Sequence, residues 1–422
     1  MRLLLRLGVG GSPARHGGPT LRRASRRVGP LTPLFGPLLL GLGLLLGGCP
    51  GPTQPPTSTQ PSASPSPPAP TTPPPTLDPK APGATTLEVV VKAYCLDPSQ
   101  PWALAHGLLV FGEDLKLAGG DRALDRLVSD NLPPGELRFP SNRGATPVDA
   151  HPGLILKTLL ELGLPPEHSF TRKEGGTVTL KALRDAFVAA WTPTLGGADA
   201  FKNEAWGLEV LAAADRATPA LRTRALEVLV SNQAYFEAWA PGAKPKPFRK
   251  ASVRGADGRT LPAAIHRYYC GGFHLFQAVQ RLHGAKAPPT LARQYVLLLL
   301  RLKLETDYWK RVQKKIEARP GAKRGSLIQV FLAQRLKLQG HALETYLRAV
   351  AQGAAPLGAD ERAALKAGFV ELTKTVQALV GTGVYDQLPA LALSKPQLYR
   401  DLVGDSAHAL HAYRLAPKGL LD

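Results

Sequence analysis

The chain has 422 residues, a formal charge of +20 and 41 prolines against only three cysteines. It carries no Gly-x-Ser-x-Gly elbow, no Gly-x-x-x-x-Gly-Lys-Ser/Thr loop and no Cys-x-x-Cys-His, which excludes hydrolase-elbow, P-loop nucleotide and covalent-haem chemistry. The positive charge is spread out and has no recognition motif beside it, so it argues for an anionic surface rather than nucleic acid.

Residues 1–48 begin with a basic segment (Arg22, Arg23, Arg26, Arg27), continue through an apolar run from Leu31 to Leu46, and end on Gly47-Gly48-Cys49. That order is the layout of an export signal. A true membrane span wants ~20 residues, whereas this run is shorter and interrupted by Pro33 and Pro37. Met1 is the only methionine, and a start nearer Leu21 would give a signal of ordinary length. The segment Leu46-Gly47-Gly48-Cys49 resembles the lipobox of bacterial lipoproteins. The resemblance implies that Cys49 becomes the lipidated first residue of a mature chain carrying acyl chains such as palmitate. It places the protein in the cell envelope, bordering the periplasm, with the outer membrane favoured over the inner. The seven arginines before Cys49 leave with the signal, and the mature chain keeps 45 basic against 32 acidic side chains, a net +13.

Residues 49–86 form the second region. Pro50 to Pro82 holds 14 prolines and no charge before Asp78 and Lys80. Such a composition cannot bury enough apolar surface to offset chain entropy and predicts a disordered tether. At ~3.1 Å per residue it spans up to about 100 Å.

Residues 87–422 form the third region, where apolar spacing becomes mostly helical. Thr86 to Ala93 and Gly176 to Leu180 read as strands. Asp149 and Pro152 suit the start of a helix through Leu154 to Leu162. Trp206, Leu208, Val210 and Leu211 mark another helix, and a stripe from Leu221 to Phe236 a third. Further helices read at 263–283, 290–317, 326–338, 340–352, 359–380 and 397–413. About 12 helices with short connections predict an all-α domain of helix hairpins, an architecture that outgrows the usual single-core limit because each hairpin packs on its neighbours.

Within this region a histidine beside small residues opens an apolar helix five times, at His106, His151, His274, His341 and His408. The last three are spaced by 67 residues. Asn203-Glu204-Ala205-Trp206 has the same small and polar opening. If alternate helices line a ring, these starts converge at one mouth. The arrangement resembles the α/α toroids, many of which bind or process carbohydrate. The resemblance implies ligand-binding roles for His106, His151, Trp206 and His341, catalytic candidacy for Glu204, His274 and Glu344, and a partly exposed Trp206 that stacks on a sugar in a wet funnel. His341-Ala-Leu-Glu344 and His408-Ala-Leu-His411 have metal-ligand spacing, but neither completes a set, so no metal and no cofactor is expected.

Cys95 and Cys270, each preceded by tyrosine, are expected to form a disulfide in an oxidising compartment, with two buried thiols as the other reading. Two functions follow. One is a non-catalytic envelope lipoprotein, membrane-held through Cys49, whose helical domain binds an envelope protein or an acidic polysaccharide. The other is a toroid enzyme or binder acting on a saccharide.

Overall fold

In the computed structural model, residues 82–196, 200–240, 252–254, 260–262, 264–284, 287–318, 321 and 324–422 are described. The signal, Cys49 and nearly all of the tether lie outside them, as does the basic run Lys244 to Lys250. Among the described residues the chain forms thirteen α-helices and three two-stranded antiparallel hairpins. None of these helices is long and apolar enough to cross a membrane.

The helices are α1 (Pro82–Tyr94), α2 (Pro101–Phe111), α3 (Ala123–Ser129), α4 (Leu154–Glu161), α5 (Leu180–Ala190), α6 (Ala205–Ala213) and α7 (Pro219–Gln233). They continue with α8 (Phe273–His283), α9 (Pro289–Glu317), α10 (Arg324–Ala351), α11 (Ala359–Gly381), α12 (Leu388–Ser394) and α13 (Pro396–Leu415). Helices α2, α4, α6, α8, α10 and α13 each pack on the next, and α13 packs back on α2. This closes a six-membered inner ring. The intervening helices lie outside it, with α5 against α4 and α6, α7 and α9 against α8 and α10, and α11 and α1 covering α10 and α13. The all-α expectation holds, and the hairpins are arranged as an α/α toroid.

Side-chain pairing gives the inner helices their direction. His274, Gln277 and Gln280 of α8 meet His341 and Glu344 of α10 and Gln352 just beyond it in the same order. Lys337 and Glu344 of α10 likewise meet Asp401 and His411 of α13. Neighbouring inner helices therefore run parallel, as alternate members of successive hairpins must.

The expected strand at Thr86 to Ala93 is instead part of α1. Ala84, Leu87, Val90 and Val91 are buried while Val89 is 65% exposed, which is the three-and-four period of a helix. Burial against α11 and α13 outweighs the β preference of three consecutive valines. Gly176 to Leu180 does supply a strand. Thr177–Thr179 pairs with Ser169–Thr171, burying Phe170 and Val178, and the Thr179 hydroxyl then accepts from Ala182 N at 3.1 Å to cap α5. Asp149 caps α4 from the preceding turn, its two oxygens accepting from Gly153 N and Ile155 N at 2.9 Å each.

The helices expected at 326–338 and 340–352 are one, α10, running unbroken through Gly340. That glycine serves contact rather than a break. A Cβ placed there would lie 3.0 Å from the backbone nitrogen of Ala409 on α13. The same logic applies at Gly404, where a Cβ would meet the Trp102 ring at 2.8 Å, and at Gly107, where it would meet the Cys95 carbonyl at 2.7 Å. The small residues flanking the histidines thus let the inner helices approach closely enough for imidazoles to touch.

Gly340→Ala should cost roughly 1–3 kcal/mol by overpacking the α10–α13 crossing. Gly325→Ala, in the same helix with nothing within 4 Å, should be neutral or slightly stabilising. Urea unfolding of the two variants measures the contrast, and equal midpoints would refute the packing role.

Candidate functional site

The inner ring encloses a column of polar side chains instead of an open funnel. His106 comes from α2, Lys157 and Glu161 from α4, Glu209 from α6, and His274 and Gln277 from α8. His341, Glu344 and Arg348 come from α10, and His408 and His411 from α13. Most are buried, and His341 and Glu344 are 0% exposed.

At one level of the column four imidazoles meet. The His341 and His408 ring centroids are 3.9 Å apart, His274 lies 5.0 Å from His341, and His106 and His274 each lie 5.1 Å from His408. Acceptors orient three of these rings. His106 Nδ1 donates to Trp102 O at 2.7 Å, His408 Nδ1 to Glu344 Oε2 at 2.7 Å, and His274 Nδ1 to Gln277 Oε1 at 3.2 Å. At His106 and His274, which burial keeps neutral, these bonds fix the Nδ1–H form and leave Nε2 as a bare lone pair. Neither nitrogen of His341 has a hydrogen-bond partner.

One turn along, Gln277, Glu344 and His411 form a second level. Glu344 Oε1 accepts from His411 Nδ1 at 2.7 Å, and Oε2 accepts from Gln277 Nε2 at 3.3 Å as well as from His408. Gln277 Nε2 also donates to Thr345 Oγ1 at 2.9 Å, and Gln277 Oε1 accepts from Arg348 at 3.0 Å. Beyond them Arg348 pairs with Glu161 and, at 3.3 Å, with Glu209, while Lys157 pairs with Glu161 at 2.5 Å.

Burial dominates the electrostatics. It pushes the His106 imidazole down to about 3 and His151 down to about 4. It also holds His274 and His341 well below the usual histidine range, helped by the neighbouring His408. Burial lowers Lys157 to about 8 and Arg348 to about 10, and raises the Glu209 carboxyl. Burial alone would also raise Glu344, but His408 and His411 outweigh it and hold that carboxyl well below the ordinary carboxylate range. His106, His274 and His341 are therefore neutral imidazoles beside an ionised carboxylate.

The sequence candidates divide clearly. His106, His274, His341 and Glu344 sit in the column. His151 and Trp206 extend it: their rings stack in parallel at 3.9 Å, Trp206 lies 4.6 Å from His274, and His151 Nδ1 donates to Asn203 Oδ1 at 2.6 Å. The openings thus converge as expected, although His106, His341 and His408 lie inside their helices rather than at the first turn, because α2, α10 and α13 begin earlier. Trp206 is only 3% exposed, so the wet funnel and the exposed aromatic wall are absent. A narrow crevice without room for a water molecule, lined in part by Lys202, Trp206, Tyr269 and His274, borders the column. Glu204 does not join the site, since its carboxylate turns outward and accepts from Thr194 N at 3.1 Å.

Cys95 and Cys270 are not bonded to one another. Cys95 is buried at the end of α1 against Gly107, whereas Cys270 belongs to the turn before α8. The expectation of no metal set also needs correction. Cys270, His274 and His341 bring ligand atoms within 4.8 Å of one another, and so do His341, Glu344 and His408. Of the pairs read from the sequence, His341–Glu344 belongs to the second set, whose third ligand His408 comes from another helix of the ring, whereas the Cys270–His274 pair of the first set was not singled out. Lys157, Glu161, Glu209, Gln277 and Arg348 were missed altogether. The signal was there in the stripe Lys337, His341, Glu344, Arg348, spaced four, three and four along one face of a helix.

No family model, curated protein or solved structure matches the chain.

Glu344→Ala should destabilise the fold by about 3–5 kcal/mol, because it strips the partner from two buried imidazoles. Glu204→Ala should cost about 1 kcal/mol or less, the price of one partly exposed hydrogen bond. Equal losses in denaturant unfolding would refute the assignment of Glu344 to the structural axis.

His151 yields a pH prediction. Unfolded, its imidazole takes a proton near 6.5, whereas folded it does so only near 4. Between those values the unfolded state binds the extra proton, so stability falls as pH drops through that window, on the order of 3 kcal/mol for this group. His151→Gln should flatten the slope of melting temperature against pH between 4 and 6.5, and an unchanged slope would refute it.

Proposed function

We propose that the protein is a lipid-anchored envelope lipoprotein whose toroid acts by binding an anionic polymer or partner on its outer surface, without catalysis. The closed axis carries this reading. Six inner helices fill their own centre with buried polar groups, many of them hydrogen-bonded to one another, Trp206 is buried against His151 and His274, and Glu204 faces away. A saccharide enzyme of the toroid class needs an open cleft with its acid and base facing a sugar, which leaves that alternative with little support. A hollow of about 400 Å³ between Ser129–Pro134 and Lys173–Glu174 contains none of the candidate residues.

The anchor rests on the lipobox-like Leu46 to Cys49, and the proline-rich stretch after it serves as the spacer. The affinity for anions rests on the mature charge of +13 and on the exposed Arg311, Lys314 and Lys315 near the end of α9. Such surface charge steers acidic polymers at low ionic strength and is screened as salt rises.

Fractionation of expressing cells tests the anchor. The wild-type chain should partition with membranes, and Cys49→Ser should either release it or block its processing. A fully soluble, exported wild type with unmodified Cys49 would overturn the reading. For the surface, the mature chain should be retained on a carboxylated or sulfated polysaccharide column and elute with salt. Lys314→Glu/Lys315→Glu should elute earlier, and identical elution would exclude this face.

A further inference from the structure

The turn before α8 has a geometry that the closed axis does not explain. Tyr269–Gly272 carries three successive residues in the left-handed region, with φ of 47° at Cys270, 64° at Gly271 and 79° at Gly272. Glycine adopts this conformation freely, but a cysteine does so at a cost. The surroundings hold the turn there. Arg301 Nη1 donates to Gly271 O at 2.8 Å, and Arg301 Nε in turn donates to Glu305 Oε1 at 3.0 Å. A Cβ at Gly271 would meet the Arg301 guanidinium at 2.8 Å, and one at Gly272 would meet Ile265 at 2.2 Å. Strained backbone over-determined by its neighbours is characteristic of functional positions.

The strained residue presents its sulfur to the top of the axis. Cys270 Sγ and a nitrogen from each of His274 and His341 lie within 4.8 Å of one another. His274 has its Nδ1–H tied to Gln277, so Nε2 is its available lone pair. His341 is 0% exposed with both nitrogens lacking a hydrogen-bond partner. A buried imidazole with neither nitrogen hydrogen-bonded is costly, and the thiol beside it supplies what a metal would need. Asp405 Oδ1 stands 4.0 Å from His341 Nε2, and Asp405 Oδ2 is likewise buried and without a hydrogen-bond partner. By contrast, the group formed by His341, Glu344 and His408 has its carboxylate already occupied by His408, His411 and Gln277.

We propose that Cys270, His274 and His341 form a binding site for a zinc-class divalent transition metal. One thiolate and two imidazoles are the soft and borderline donors that such ions prefer. Small side-chain rotations bring the three donors onto a common ion at ~2.0–2.3 Å. The thiol gives up its proton on binding, so uptake of metal releases a proton to solvent. Gln277 orients His274 as an outer-shell partner through the Nδ1–H bond.

Cobalt(II) titration of the full mature chain in detergent, after chelator treatment, tests this directly. A tetrahedral visible spectrum with a near-ultraviolet thiolate-to-cobalt charge-transfer band should saturate at one ion per chain, and zinc should displace it. Cys270→Gly suits the left-handed backbone, so it should keep the fold and melt no lower without metal. It should nevertheless lose the charge-transfer band and at least tenfold in zinc affinity, whereas Cys95→Ser retains both. On the wild-type chain, zinc should also slow alkylation of Cys270, read by peptide mass mapping. Absence of the charge-transfer band, its persistence in Cys270→Gly, or equal alkylation with and without zinc would each overturn the site.

Discussion

A single buried carboxylate organises the toroid. Glu344 is ionised at the centre of the ring, and a charge in that position is tolerable only while every lone pair is occupied. Its two oxygens accept from His408 and His411 on α13 and from Gln277 on α8. Those three bonds fix the axial register of three consecutive inner helices at once. A slip of one residue along any of them would leave a desolvated anion unpaired. The apolar contacts that close the ring are non-directional, so register must come from groups like these.

The recurrence of 67 residues acquires a physical meaning in this light. His274, His341 and His408 share one level of the axis, and Gln277, Glu344 and His411, displaced by three residues in each case, share the next. Each interval spans one outward and one inward helix, so equal intervals return the chain to equal heights. The glycines and alanines beside these positions are the complement of the pattern. At Gly340 and Ala409 the helices cross with almost no side-chain material between them, and only then can imidazoles on adjacent helices touch.

Helical class, the two histidine pairs and the convergence of the openings were legible because they depend on local period and on repetition. What escaped was everything that depends on partners from elsewhere in the ring. The valines of α1 favour a strand until α13 is present to bury one face. Gly340 reads as a break until Ala409 occupies the missing Cβ. Glu204 resembles an acid at a cleft, but the chain before it folds back so that Thr194 N claims the carboxylate. Lys157 and Arg348 look like surface charges because lysine and arginine seldom lie inside a domain. They are buried here because Glu161 and Glu209 meet them there.

The position of α1 has a mechanical consequence. The first described helix packs against α13, the last, with Leu87, Val90 and Val91 buried and Thr373 sharing a 2.7 Å hydrogen bond with Tyr413 beside it. Tension applied to the chain ahead of α1 would therefore enter the domain at the seam between α1 and α13. Side-chain packing of Leu87, Val90 and Val91 holds α1 on that seam. The contact between α13 and α2 lies behind it, and Arg414 reaches the Val110 carbonyl there at 3.1 Å. Loss of α1 would thus leave the inner ring closed.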